Sequence, residues 1–162
     1  MNDIFIDNNI AKNFATPIDP HYKELIQWIN EFDKDLVEKE PEKLLDYAHL
    51  VVSQKLLVEY LNSSRDCSKP NAIPSIISRL QIQGRLQKKS KTEIEDFKNE
   101  FFTKRIEKSL LSNQEDHPHI VCVLISNRKL CLTYDDNLTA DLKDFPGFTV
   151  RVEKRPESLN YK

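Results

Sequence analysis

Apolar residues along this chain alternate between short unbroken runs and longer stretches with helical spacing. The runs "IFI" at 4–6, "HLVVS" at 49–53, "KLCLTY" at 129–134 and "FTVRV" at 148–152 read as buried strands. Between them, Tyr22, Leu25, Ile26, Ile29 and Phe32 mark a helix with Pro20 near its start. The stretch "QKLLVEYLNSS" predicts a second helix. Ile73, Ile76, Ile77 and Leu80 predict a third, running on into "GRLQKKSK". Thr92 and Glu95 have capping-box spacing ahead of Ile94, Phe97 and Phe101. The segment "RIEKSLL" fits a strand or a helix. Pro118 suits a first helical position, and the run from there to Ile125 is apolar on nearly every side, as in a well-buried helix. "NLTADLKDF" reads as a short helix. Residues 33–46 are an acidic connection, helical after Pro41, and the tail "EKRPESLNYK" is polar and expected to be loose.

Strands that alternate with helices predict an α/β fold with a mainly parallel sheet. No repeat, low-complexity tract or linker divides the chain. Its 162 residues suit one domain, and 39% hydrophobic with 31% charged residues places it among globular chains. The longest apolar run, Ile120–Ile125, is too short to span a bilayer. The start "MNDIF" lacks a basic leader before an apolar stretch, so no secretory signal is expected. Cys67, Cys122 and Cys131 are an odd set without metal-ligand spacing, which suits a reducing cytoplasm. Only two glycines occur, which argues against a glycine-cradled nucleotide.

The net charge of −2 conceals a polarised chain. Residues 31–46 hold seven acids against three lysines, and residues 65–91 hold seven basic residues against one acid. The basic segment fits either a polyanionic partner or a solvated helix face.

In an open parallel sheet, ligands bind beyond the carboxyl ends of the strands. Asp7 follows the first strand, and Asp135 and Asp136 follow "KLCLTY". Glu59 lies within the helix after "HLVVS", and Asp116 stands at the start of the buried helix. Four segments thus direct carboxylates to one rim. Such a cluster is best tolerated around a divalent cation, and hard oxygen donors select Mg²⁺ or Mn²⁺. Asn8 and Thr133 are candidate supporting groups. Taken singly, Asp7 also fits a loop, Glu59 a helix surface, Asp116 a helix-dipole charge and Asp135 or Asp136 an N-cap.

Three stretches, "IFIDNN", "LVVSQKLLVEYL" and "HPHIVCVLISNRKLCLTYDDNLTADLKDF", resemble the PIN domain, a family of metal-dependent ribonucleases that includes many bacterial VapC-type toxins. The resemblance covers most of the chain. It implies a PIN-like three-layer fold over 1–155, its twisted sheet flanked by helices, with a tail at 156–162. It makes Asp7, Glu59, Asp116 and Asp135 the metal-holding acids, Thr133 the hydroxyl before the last of them, and Asp136 the helix cap. Relatives commonly carry Asp-x-His before the buried helix, whereas "EDHPHI" sets Asp116 three residues and His117 two residues before His119. The third ligand is therefore Asp116 or, in its place, His117, with Asp116 favoured; His119 is read as a packing residue.

The resemblance implies hydrolysis of RNA phosphodiester bonds, and the basic segment, with Arg79, Arg85, Lys88 and Lys89, would then hold the phosphate backbone. A toxin of this kind would have an antitoxin protein as partner and could form a homodimer. Two alternatives stand beside this reading. One is a non-catalytic PIN-like module that binds nucleic acid or protein. The other, ranked well below, is a phosphotransfer domain using the first aspartate, for which Asp7-Asn8-Asn9 is a poor match to the required Asp-x-Asp.

Overall fold

A computed structural model describes residues 1–64 and 66–162; Arg65, one of the seven basic residues counted above, lies outside the described residues. The chain opens with strand β1 (Asn2–Ile6), a single turn α1 (Asn8–Ala11), and helices α2 (Pro20–Asn30) and α3 (Lys34–Lys39). A 3₁₀ turn at Pro41–Asp46 leads to β2 (Ala48–Ser53), α4 (Gln54–Ser63), α5 (Ile73–Ile82) and β3 (Leu86–Lys89). Helices α6 (Lys91–Phe101), α7 (Lys104–Ser109) and α8 (His117–Leu124) follow, then β4 (Leu130–Leu132), α9 (Asp136–Asp144) and β5 (Arg151–Glu153). The five strands form one all-parallel sheet in the order β3-β2-β1-β4-β5, flanked by helices.

Strand β1 lies at the centre, with Ile4 opposite Leu50 and Phe5 opposite Cys131. Both its faces are covered, which is why "IFI" runs apolar without alternation. Strand β2 is buried along its whole length for the same reason. Cys122 and Cys131 are buried, unpaired thiols, and burial pushes Cys122 up to about 12, so it behaves as a small apolar side chain. Among the described residues no helix is long and apolar enough to cross a membrane.

Strand β3 departs from the sequence reading, which carried a helix through "GRLQKKSK". Gly84, at φ +71°, closes α5 in a Schellman arrangement: its N–H bonds Gln81 O at 3.2 Å, and Arg85 N–H bonds Leu80 O at 2.8 Å. The chain then turns extended against β2. The next helix starts earlier than predicted. Its capping box is Ser90 with Glu93, not Thr92 with Glu95, and both reciprocal bonds are present. "RIEKSLL" resolves as helix over its first part. "FTVRV" pairs only from Arg151, because Phe148 turns instead into a cluster with Phe97, Phe101 and Phe145.

The tail is docked, not loose. Leu159 and Tyr161 are buried, Tyr161 packs its ring 4.9 Å from that of Trp28 on α2, and Arg128 donates to Tyr161 O at 2.6 Å. At the same edge of the sheet, buried Asp3 accepts from the N–H groups of Asn127 and Arg128 at 2.7 and 2.8 Å.

Candidate metal centre

Successive strands step outward from β1 to β3 on one side before the chain returns to add β4 and β5 on the other. The crevice between β1 and β4 is therefore the switch point of the sheet, where the carboxyl ends of two central strands splay apart. Asp7 and Thr133 are the first residues beyond those two ends. The Asp7 N–H still bonds Leu132 O at 2.9 Å, so the backbone pairing fixes one residue against the other.

Asp7 is 8% exposed. Its Oδ2 accepts from Thr133 Oγ1 at 2.5 Å and from Asn9 Nδ2 at 2.9 Å. Burial raises its pKa above the usual aspartate range, and the Thr133 hydrogen bond opposes that only in part. Asn9 ties the crevice together: its amide also donates to Thr133 Oγ1 at 3.3 Å, and its Oδ1 accepts from Tyr134 N at 3.2 Å. Asn8, the predicted supporting amide, instead accepts from Ser63 Oγ at 2.7 Å, although it still lines the pocket. Both asparagines follow the acid directly in "IFIDNN", and only the two-residue Asp7–Asn9 spacing signals which one turns back to it.

Glu59 is carried in by α4, which Ser53 caps by accepting from Leu56 N. It sits between Lys55 Nζ at 2.8 Å and His119 Nε2 at 3.0 Å. Burial would raise its pKa, but those two donors outweigh burial and hold it at about 2. Asp116 approaches the same Lys55 at 3.4 Å. One ligand atom from each of Glu59, Asp116 and His119 lies within 4.8 Å of the others. His119 Nε2 donates to the Glu59 carboxylate, and its Nδ1 is buried with no hydrogen-bond partner among the described residues. The packing role assigned to His119 is thus half of its role: it lies 5.5 Å from the Phe5 ring and also holds a pocket acid. His117 is buried against Phe102 at 5.6 Å, away from the acids.

Asp135, not Asp136, caps α9. Its Oδ1 accepts from both Asn137 N and Leu138 N, at 2.8 and 3.1 Å, and Oδ2 takes part in neither bond. Asp136 is exposed and pairs with Lys154 at 2.7 Å. Asp7, Glu59, Asp116 and Asp135 all line one pocket of about 230 Å³, together with Asn9, Lys12 and His119.

The four predicted backbone-binding cations are not part of it. Arg85 is a correction. It is 1% exposed, with its guanidinium donating to Ile29 O, Ala48 O and Gln83 Oε1 and lying 5.0 Å over the Phe32 ring, so it is out of reach of any phosphate. Arg79 donates to Asn30 Oδ1 at 2.7 Å on α2. Lys88 and Lys89 end β3, on the same edge of the sheet as Asp7 but two strands away. The cations at the pocket are Lys12, exposed on its wall, and Lys55, held by its acids; neither was singled out from the sequence. The Lys55–Glu59 spacing of four residues was the available signal.

No protein-family model, curated protein or solved structure matches this chain.

Proposed function

We propose that this chain is an endoribonuclease that hydrolyses RNA phosphodiester bonds with Mg²⁺ or Mn²⁺ held by Asp7, Glu59, Asp116 and Asp135. The observation that carries this reading is the meeting of four carboxylates, from four segments, in one pocket at the switch point of the sheet. The donor set fits a hard divalent ion. The pocket is dominated by carboxylate oxygens; within it Glu59, Asp116 and His119 bring one ligand atom each within 4.8 Å of the others, about the spread of a single ion's shell, and Asp7 and Asp135 line the same pocket. Burial with no ion-pair partner among the described residues leaves Asp7 the acid most in need of positive charge. A divalent ion bound there would activate water and offset charge on the scissile phosphate.

The chain's own groups supply the rest. Thr133 and Asn9 aim Asp7, and His119 and Lys55 aim Glu59. Lys12 on the pocket wall attracts the phosphate, and Lys88 and Lys89 extend the positive rim along the sheet edge. Cleavage of labelled RNA in Mn²⁺, with and without chelator, tests the reading. Chelation should abolish cleavage, and Asp7→Asn should lower it by at least about 100-fold; full activity in either case would sink it. An antitoxin covering the pocket and a homodimer belong to the same proposal, and sedimentation of the chain alone and with a captured small partner tests them.

One observation favours a second reading, a non-catalytic nucleic-acid or protein-binding module. The Lys55 ammonium already pairs with both Glu59 and Asp116, which an ion would need. Retained RNA binding with no Mn²⁺ uptake in calorimetry would select it.

A further inference from the structure

Beside the acid pocket lies a second one, of about 320 Å³, within the range of small-ligand clefts. Residues adjacent in the chain line the two. Tyr134 stands between Thr133 and Asp135 in the chain, and its N–H is bound by Asn9 of the acid site, while its side chain lines the second pocket. Lys12 lines the first pocket and Asn13 the second. Opposite Tyr134 is Tyr22, the two hydroxyls 2.6 Å apart, and the Arg155 guanidinium lies 5.2 Å from the centre of the Tyr22 ring. Asp19 and Glu157 hold Arg155 in that place, at 2.5 and 2.9 Å. Ile18 forms an apolar lip and is 91% exposed; Tyr134 is 42% exposed.

Flat aromatic faces, a fixed guanidinium plane, an apolar lip and a few polar groups suit a flat heterocycle better than a phosphate or a sugar. Stacking on such faces is tolerant of base identity. We propose that this pocket is a nucleobase subsite, in which Tyr134 stacks the base of the nucleotide next to the phosphate held in the acid pocket. The proposal rests on the ribonuclease reading and adds to it a positioning residue, one that sets where along a single strand the acids act.

The test is binding of a short labelled oligoadenylate, and of an abasic ribose–phosphate oligomer of equal length, in Ca²⁺ with the RNA shown to stay intact. The wild type should bind the base-bearing strand more tightly than the abasic one. Tyr134→Ala should lose roughly 5- to 100-fold on the base-bearing strand and nothing on the abasic strand, while Tyr134→Phe keeps the preference. Wild-type protein should also quench 2-aminopurine placed in the strand, a readout that needs no variant to fold. Equal loss in Tyr134→Ala and Tyr134→Phe, no loss in Tyr134→Ala, or no quenching overturns the subsite while leaving the nuclease reading intact. Failure of the wild type to bind either oligomer overturns both.

Discussion

Asp7 sets chemistry against stability at a single residue. Its buried carboxyl holds a proton more tightly in the folded chain than in the unfolded one, so its contribution to folding worsens as pH rises from the ordinary value of 3.8 towards its raised value. Asp7→Asn should therefore stabilise the fold at neutral pH, with the gain vanishing below pH 3.8, as urea denaturation at two pH values would show. Glu59 has the opposite sign. Held at about 2 against an ordinary 4.5, it contributes stability that is complete above pH 4.5 and lost as pH falls towards 2; Glu59→Gln should flatten that part of the stability–pH curve. Arg85→Ala leaves the carbonyls of Ile29 and Ala48 without their buried donor and should cost roughly 3 kcal/mol, with RNA affinity per folded molecule unchanged in a titration. Asp7, Asp116 and Asp135 are legible in the sequence because each follows a strand or opens a helix, and Glu59 because the helix that carries it starts directly after a strand. Charge alone does not reveal that the rings of Phe32 and Tyr47 and three oxygens await Arg85. Asn8 and Asn9 are not told apart by the sequence, because adjacent identical side chains differ only in where the first turn of α1 points them.

At the scale of elements, the informative case is the stretch from α5 to α6. Gly84 stopped the helix as a glycine in that place should, but the four residues after it carry three polar side chains and no strand pattern. Their pairing is dictated by β2, whose outer edge would otherwise be bare, and a partner 36 residues away is invisible to local periodicity. Lysine at an exposed sheet edge discourages further strand addition. Replacing Lys88 and Lys89 with Val should thus raise light scattering on concentration or warming while hardly moving the melting temperature. The cap next door gives a cleaner comparison: Ser90→Ala should cost about 1 kcal/mol, whereas Thr92→Ala, in the register first expected, should cost little. Long periodic helices such as α2 were legible within a residue or two, since their apolar faces need no knowledge of the rest of the fold.

The whole molecule is closed by its last residues. Removing 156–162 withdraws Leu159 and Tyr161 from the core and frees the Arg128 guanidinium; the melting temperature should fall by on the order of 10 °C. The polar composition of that segment hid two anchors among its charges. The alternation of strands and helices nevertheless made the parallel α/β architecture readable, because crossover connections leave few other solutions. The central position of β1 has one more outcome, in the timing of assembly. The hydrogen bond from Thr133 to Asp7 joins residues 126 positions apart. A ribosome adding roughly 5–20 residues per second needs about 6–25 s between them. Throughout that interval Asp7 has been made but Thr133 and Asp135, which complete its pocket, have not, so the acid site can assemble only late in synthesis.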